Sequence, residues 1–386
     1  MKVVMAYFGN LVDVPGGLEK NLCRLSNELI RRGHEVFIVT YDNKKGRPKY
    51  NLSEKAKLIN LKKPLKTAES GLRWKIIREI ARVRGKEAFG RWKKEQRGDI
   101  FEGIKCVFSE IQPDVILAYN HQTAGEIYEA GFSRHVVAMF RNDPDRLCPQ
   151  MTDTEIQSIE SADLVQVLLP SFKNSIRRYI SNPRVVYIPN IIEIPDSASD
   201  IIHHKPTYKI IDVGRVNKNQ KRQDLLIKAF ANLATEYPEW ELEFWGECDN
   251  KYGRSLQSWI KRRKLDKRIL FKGETSSIND EYISSDIFAF PSRYEGFPNA
   301  LGEAMAAGLP SIVCRDCFSC TQLIQDGVTG LIAEPNAEDI ANKLKHLMGN
   351  VKLRESLGKN ARKYAEKYDP KIIWDMWERI LLDIAK

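Results

Sequence analysis

Two carboxylates eight positions apart, Glu295 and Glu303, flank a Gly296-Phe297-Pro298-Asn299 turn. The run 290–308 predicts a strand ending at Phe290, a loop carrying Glu295, and a helix that opens near Asn299 and stops at Gly308. Pro298 suits the helix start and Asn299 its cap. Backbone N–H groups left free there suit an anion. Glu303 lies about one turn inside the helix, roughly 6 Å along its axis. That is about the reach from a diphosphate to an attached ribose, whose two hydroxyls one carboxylate accepts together. Glu295, on the loop, addresses the opposite end of the same ligand. Outside such a string the two acids would be an exposed loop carboxylate and a first-turn partner of the helix dipole.

A second loop follows a buried strand and reads Gly214-Arg215-Val216-Asn217-Lys218-Asn219-Gln220-Lys221-Arg222. A glycine and then fixed cations suit a diphosphate leaving group. One cation about 4 Å from one phosphate charge is worth about 4 kcal/mol at an effective dielectric near 20. Two such groups can replace a metal ion in stabilising departure, with Lys218 a rival to Lys221. The bland alternative is a solvated basic turn. A third loop, Val14-Pro15-Gly16-Gly17-Leu18-Glu19, opens a long helix, so that Gly16 and Gly17 let backbone approach an anion. It does not fit G-x-G-x-x-G, which disfavours a nicotinamide site.

The elements that must hold these loops are legible as an alternation of apolar runs and amphipathic helices. Strands are expected at 2–8, 35–40, 114–118, 135–140, 164–168 and 185–188. After a polar, Pro/Ser-containing linker at 193–206 they recur at 208–213, 242–245, 269–271, 287–290 and 311–313. The first helix, 18–32, carries Leu18, Leu22, Leu25 and Leu29 on one face. The last, 371–385, carries Trp374, Trp377, Leu381 and Ile384. Strand–helix alternation on this scale predicts an α/β protein of two doubly wound, Rossmann-like domains facing across a cleft, 1–195 (joined by the last helix, 371–386) and 206–370. Ligands of such sheets bind at the carboxyl ends of the strands, where all three loops fall.

At 386 residues the chain exceeds a single ordinary core. No apolar run approaches the roughly 18 residues of a membrane span. The apolar start breaks at Gly9-Asn10 without a signal peptide's stretch, and seven cysteines, an odd number, suit reduced thiols. The expected location is therefore cytoplasmic. A net charge of +10 favours an anionic partner.

Together these strings resemble the retaining glycosyltransferases of family 4, which have the two-domain GT-B architecture. The resemblance covers nearly the whole chain. It is strongest from Val213-Gly214-Arg215 through Phe271-Lys272-Gly273 and Ser285-Asp286-Ile287-Phe288 to residues 295–308 and then Asp326-Gly327-Val328-Thr329-Gly330. Gly16-Gly17-Leu18-Glu19, Arg32-Gly33-His34-Glu35-Val36 and Ile188-Pro189-Asn190 match more weakly. The resemblance implies transfer of a hexose or N-acetylhexosamine from a UDP- or GDP-sugar, with retention of configuration and no metal or other cofactor. The acceptor would be a lipid-linked or polysaccharide glycan, and the product a lipopolysaccharide, capsule or other bacterial surface glycan. It assigns Arg215 and Lys221, with Gly214 beside them, to the donor diphosphate, Glu295 to the transferred sugar and Glu303 to the ribose. The amides around Gly296, Phe297 and Asn299 would meet sugar and phosphate. Gly16 and Gly17 would lie across the cleft on the acceptor side, and the last helix would cross back onto the first domain. Where the family often carries a histidine near the sugar, this chain reads Tyr119-Asn120-His121, so that either Tyr119 or His121 takes the place. Where Gly-Pro-x-Glu is usual it offers Ser319-Cys320-Thr321-Gln322.

Other signals compete. Asp143-Pro144-Asp145 imitates a metal–diphosphate ligand but falls in the wrong domain for a donor, and Cys314, Cys317 and Cys320 have metal-ligand spacing but supply only three sulfurs. Residues 71–98 are strongly basic, with Leu72, Ile76, Ile80 and Val83 as an apolar stripe. They fit either a peripheral helix on an acidic membrane, at the inner face of the cell membrane, or a surface helix packed on its own domain. No nucleic-acid-binding module is present, so no nucleic-acid partner is expected. The alternatives to a transferase are a GT-B epimerase or phosphorylase, and a non-catalytic nucleotide-sugar-binding protein.

Overall fold

The apolar runs are the strands of two parallel sheets. In a computed structural model, the structure describes residues 1–62, 79–80, 82–83, 85, 88, 99–181 and 184–386. The chain divides into one unit of residues 1–189 with 373–386 and a second of 190–372.

The first unit holds β1 (Lys2–Tyr7), β2 (Glu35–Thr40), β3 (Lys57–Asn60), β4 (Val115–Ala118), β5 (Val136–Phe140), β6 (Leu164–Val167) and β7 (Val185–Tyr187). They lie in the order β3-β2-β1-β4-β5-β6-β7, all parallel, with Val4 beside Phe37 on one side and Ile116 on the other. Helices cover such a sheet on both faces, which is why its strands read as unbroken apolar runs: Val3, Val4, Met5 and Ala6 are all fully buried. The helix Gly17–Arg31 buries Leu22, Leu25 and Leu29. The helix Pro370–Ile384 closes this unit. Arg32 meets Asp375 at 2.7 Å, His34 meets Glu378 at 3.0 Å, and Arg184 pairs with Asp383. Its buried stripe is Ile373, Trp377, Leu381 and Ile384, so Ile373 takes the place expected of Trp374.

The second unit holds β8 (Tyr208–Val213), β9 (Trp240–Trp245), β10 (Ile269–Gly273), β11 (Ile287–Phe290), β12 (Ser311–Cys314) and β13 (Leu331–Ala333), in the order β10-β9-β8-β11-β12-β13, again all parallel. Residues 193–206 are not a free linker. Ile201 is buried, Ser199 N donates to Ala307 O at 2.7 Å and the Arg362 guanidinium to Pro195 O, while just before the segment Ile191 and Ile192 are buried and Ile192 N donates to Tyr368 O at 2.9 Å. The segment is the outer layer of the second unit, and the chain changes units at Pro189–Asn190 instead of within 193–206.

Most of the basic stretch 71–98 lies outside the described residues. Of its apolar stripe Ile80 and Val83 are described, and both are exposed. Among the described residues no helix is long and apolar enough to cross a membrane.

Candidate functional site

In each sheet the strand order reverses once, between β1 and β4 in the first unit and between β8 and β11 in the second. Loops leaving neighbouring strands at such a reversal diverge to opposite faces and leave a crevice at the carboxyl edge. The candidate loops leave those four strands.

In the second unit the loops after β8 and β11 are laced together. Arg293 N donates to Gln220 O at 2.7 Å, and Gln220 Nε2 donates to Tyr294 O at 3.2 Å and to Glu295 Oε2 at 3.4 Å. Lys221 Nζ donates to Glu295 Oε1 at 2.7 Å and sits 4.3 Å from the centre of the Phe290 ring. Both side chains of the pair are largely buried, with relative exposures of 15% and 11%, so the charges meet in low dielectric, where such contacts are strong. Lys218 stands exposed, and Lys221 is the lysine brought to the acid. Arg222 is an anchor: in a left-handed conformation (φ +50°) it grips Asp316 through two bonds of 2.8 Å and donates to Pro291 O and Ser292 O, clamping the loops after β11 and β12. Arg215 is exposed, and its side chain makes no hydrogen bond or ion pair with another described residue.

Glu303 projects from the helix Asn299–Ala306 and accepts from the hydroxyl of Tyr282, a fully buried residue, at 3.4 Å. Asn299 is not the cap. It is the first helical residue; its N–H donates to Phe297 O at 2.9 Å and its Oδ1 accepts from Asn190 Nδ2 at 3.0 Å. Asn299 is thus engaged internally and cannot offer the amide expected of it. Among the described residues the N–H groups of Gly296 and Phe297 have no hydrogen-bond acceptor, while the Phe297 ring is buried edge-on against Tyr368.

Gly214 and a neighbour the sequence did not single out, Gly246, shape this edge. A Cβ on Gly214 would stand 3.2 Å from Lys221 Cε, and one on Gly246, whose φ is +128°, would stand 2.6 Å from Gly214 O. Gly246→Ala should therefore destabilise the chain by about 2–3 kcal/mol, through strain and collision together, as a lowered urea midpoint would show.

In the first unit Gly16 is extended, and its N–H donates to the Tyr50 hydroxyl at 3.0 Å. A Cβ there would meet the Glu19 carboxylate at 2.1 Å. Glu19 is buried, accepts from Tyr7 at 3.2 Å and lies in the first turn of the helix that Gly17 opens. The protein's own carboxylate thus lies beside that helix start, against the expected open anion site. Burial first, and Glu19 next, hold the Tyr7 phenol well above its ordinary pKa. Tyr119, just past β4, is fully buried with Arg141 packed 4.8 Å from its ring centre. Asn120 caps the next helix by accepting from Thr123 N at 2.7 Å. His121 opens that helix, its Nε2 3.7 Å from Glu155 Oε1, and keeps a 15% exposed side chain. Of the two rivals, His121 is the one within reach of solvent.

The competing signals have local explanations. Asp143 accepts from Asp145 N at 3.0 Å as a helix cap, and Asp145 pairs with Arg178. Cys314, Cys317 and Cys320 are buried, with Cys317 Sγ 2.9 Å from Cys320 Sγ. Burial pushes the Cys314 thiol up to about 12, which disfavours the thiolate a metal would bind.

Residues 196–364 match the family model described as glycosyl transferases group 1. The chain is 23% identical over 384 residues, 97% of its length, to an exopolysaccharide phosphotransferase of Streptomyces coelicolor, of which it covers 40%. It is 40% identical over 104 residues, 27% of each protein, to the N,N'-diacetylbacillosaminyl-diphospho-undecaprenol alpha-1,3-N-acetylgalactosaminyltransferase of Campylobacter jejuni. The chain thus spans less than half the length of these curated relatives. Sucrose-phosphate synthase from Thermosynechococcus elongatus superposes with a TM-score of 0.78 at 16% identity, over 99% of this chain and 98% of that one. The likeness to the glycosyl transferases group 1 family thus runs through residues 196–364, which hold both candidate loops of the second unit, and the chain has the GT-B fold.

Proposed function

We propose that this protein is a retaining glycosyltransferase of bacterial surface-glycan synthesis, moving a hexose or N-acetylhexosamine from a UDP- or GDP-sugar to a lipid-linked or polysaccharide acceptor. The observation that carries the proposal is the Lys221–Glu295 pair of 2.7 Å at the strand-order reversal of a group 1 domain. Before a donor arrives Glu295 holds the ammonium ready. An arriving diphosphate takes over Lys221, with Arg215 free to swing in from solvent, and the unengaged N–H groups of Gly296 and Phe297 meet phosphate or sugar. Glu303, steadied by Tyr282, accepts from the ribose hydroxyls. Glu295, released from the lysine, orients the sugar while the acceptor attacks from the face the diphosphate leaves. Gly16, Gly17 and His121 are assigned to the acceptor side. Two cations, Lys221 held in place and Arg215 recruited from solvent, serve the leaving group, so no metal is required. The Campylobacter relative, whose name gives a diphospho-undecaprenol substrate, favours a lipid-linked acceptor and hence work at the cytoplasmic face of a membrane.

Thermal melting with UDP, GDP and other nucleotides tests the donor site. One nucleoside diphosphate at about 100 times its Kd should add about 2.7 kcal/mol of stability. Stabilisation by none of them would sink the proposal, and a sugar isomerised without acceptor would point to an epimerase.

A further inference from the structure

One acid near this site has no part in the mechanism above. Asp212 lies in β8, the strand at the reversal, beside Phe244 of β9, and is 1% exposed. Its Oδ1 is buried with no hydrogen-bond partner among the described residues. A buried carboxylate oxygen left bare is costly when charged and tolerable when the group is neutral. The groups that face it are those of the donor site. Lys221 attracts its charge, Glu295 opposes it, and the Gln223 side chain and Val213 N–H favour it. From the helix Ile278–Ile283 comes Tyr282, whose phenol is held well above its ordinary pKa by burial, then Glu303, then Asp212. Asp212 therefore sits among the partners of both acids in the donor site. Burial outweighs Lys221 and raises its pKa from 3.8 to about 7.

We propose that Asp212 is a proton-linked positioning residue of the donor site: ionised in part while the site is empty, when it helps Glu295 hold the Lys221 ammonium, and protonated when a diphosphate occupies Lys221. This rests on the donor-site proposal above and deepens it. The physical ground is charge balance. Lys221 already faces two acids, Glu295 and Asp212. A diphosphate brought to the same ammonium adds negative charge in low dielectric, and the acid with no exposed surface relieves the excess by taking a proton from solvent. By linkage, a ligand that raises a group's pKa binds less tightly as pH rises through it, so donor binding and product release become pH-dependent near neutrality.

Calorimetric titration of the full chain with UDP and with GDP, at about pH 6 and about pH 8.5, is the test. The wild type should lose roughly fivefold more affinity over that range than Asp212→Asn, and near pH 7.5 should take up about half a proton more per ligand bound. Any titration of the nucleotide itself is common to both proteins and cancels in the comparison. Asp212→Ser serves if the asparagine variant does not fold. The wild type also decides alone: with UDP-glucose or GDP-mannose, whose diphosphate diesters do not titrate near neutrality, uptake must be present near pH 7.5 and fade toward pH 5. Matching pH profiles in wild type and variant, or no uptake with a bound nucleotide sugar, overturn this inference and leave the donor site standing. Binding of neither nucleotide to the wild type at any pH overturns both.

Discussion

Replacing Lys221 by alanine should cut turnover at least 100-fold, about 2.7 kcal/mol of barrier, and Glu295→Ala should do the same. The two losses should differ in kind, because the side chains are partners before the donor arrives. Without the ammonium the diphosphate loses its buried cation, so binding of the nucleoside diphosphate weakens along with kcat. Without the carboxylate Lys221 has no competing anion, so the nucleotide binds at least as tightly while kcat collapses, since sugar orientation is lost. Steady-state rates paired with calorimetric Kd values separate these outcomes. Transfer unaffected by either substitution would remove Lys221 and Glu295 from the site. Lys218→Ala, on the exposed neighbour, should leave turnover within a few-fold of wild type, about 1 kcal/mol.

Asp212→Asn should stabilise the protein by about 4 kcal/mol at pH 8, from a pKa of 3.8 in the unfolded chain raised to about 7 in the fold at 1.36 kcal/mol per unit. A raised acid destabilises the fold wherever the unfolded chain has ionised and the folded chain pays for ionising or refuses to. Below pH 3.8 both states are protonated and Asp212 contributes nothing. Between 3.8 and 7 the unfolded chain holds fewer protons, so stability falls as pH rises, and above 7 the deficit is complete. Asparagine has the same shape and no charge, so the gain should shrink to under half its pH 8 value at about pH 5. Urea unfolding at the two pH values measures it. An asparagine variant less stable than wild type at pH 8 would show that Lys221 and Gln223 more than compensate the buried charge.

Much of the fold was legible because a parallel sheet covered on both faces turns its strands into continuous apolar runs. Tyr208–Val213 and Ile287–Phe290 could be placed to the residue for that reason. Lys57–Asn60 and Leu331–Ala333 escaped because an edge strand of three or four residues, with two or three apolar side chains, leaves no such run. The stretch 193–206 read as a linker from its prolines and serines, but Ile201 is buried in it, and nothing local distinguishes a solvated Pro/Ser segment from one pressed onto helices far along the chain.

The candidate acids were legible for a related reason. Glu295 and Glu303 sit on one strand–loop–helix unit, so short-range spacing alone sets their placement to the precision of a helical turn. The sequence by itself thus determined two doubly wound sheets, the loops at their carboxyl edges and the pair of acids on one of those loops. Tertiary structure decided the rest: that Lys221 rather than Lys218 meets Glu295, that Asn299 is engaged by Asn190, that Glu19 lies over Gly16, and that Asp212 is buried. Each of those depends on contact between side chains or loops, or on burial by other elements. Local propensity does not record such encounters, and charge and solvation, unlike helical periodicity, depend on everything packed around a group.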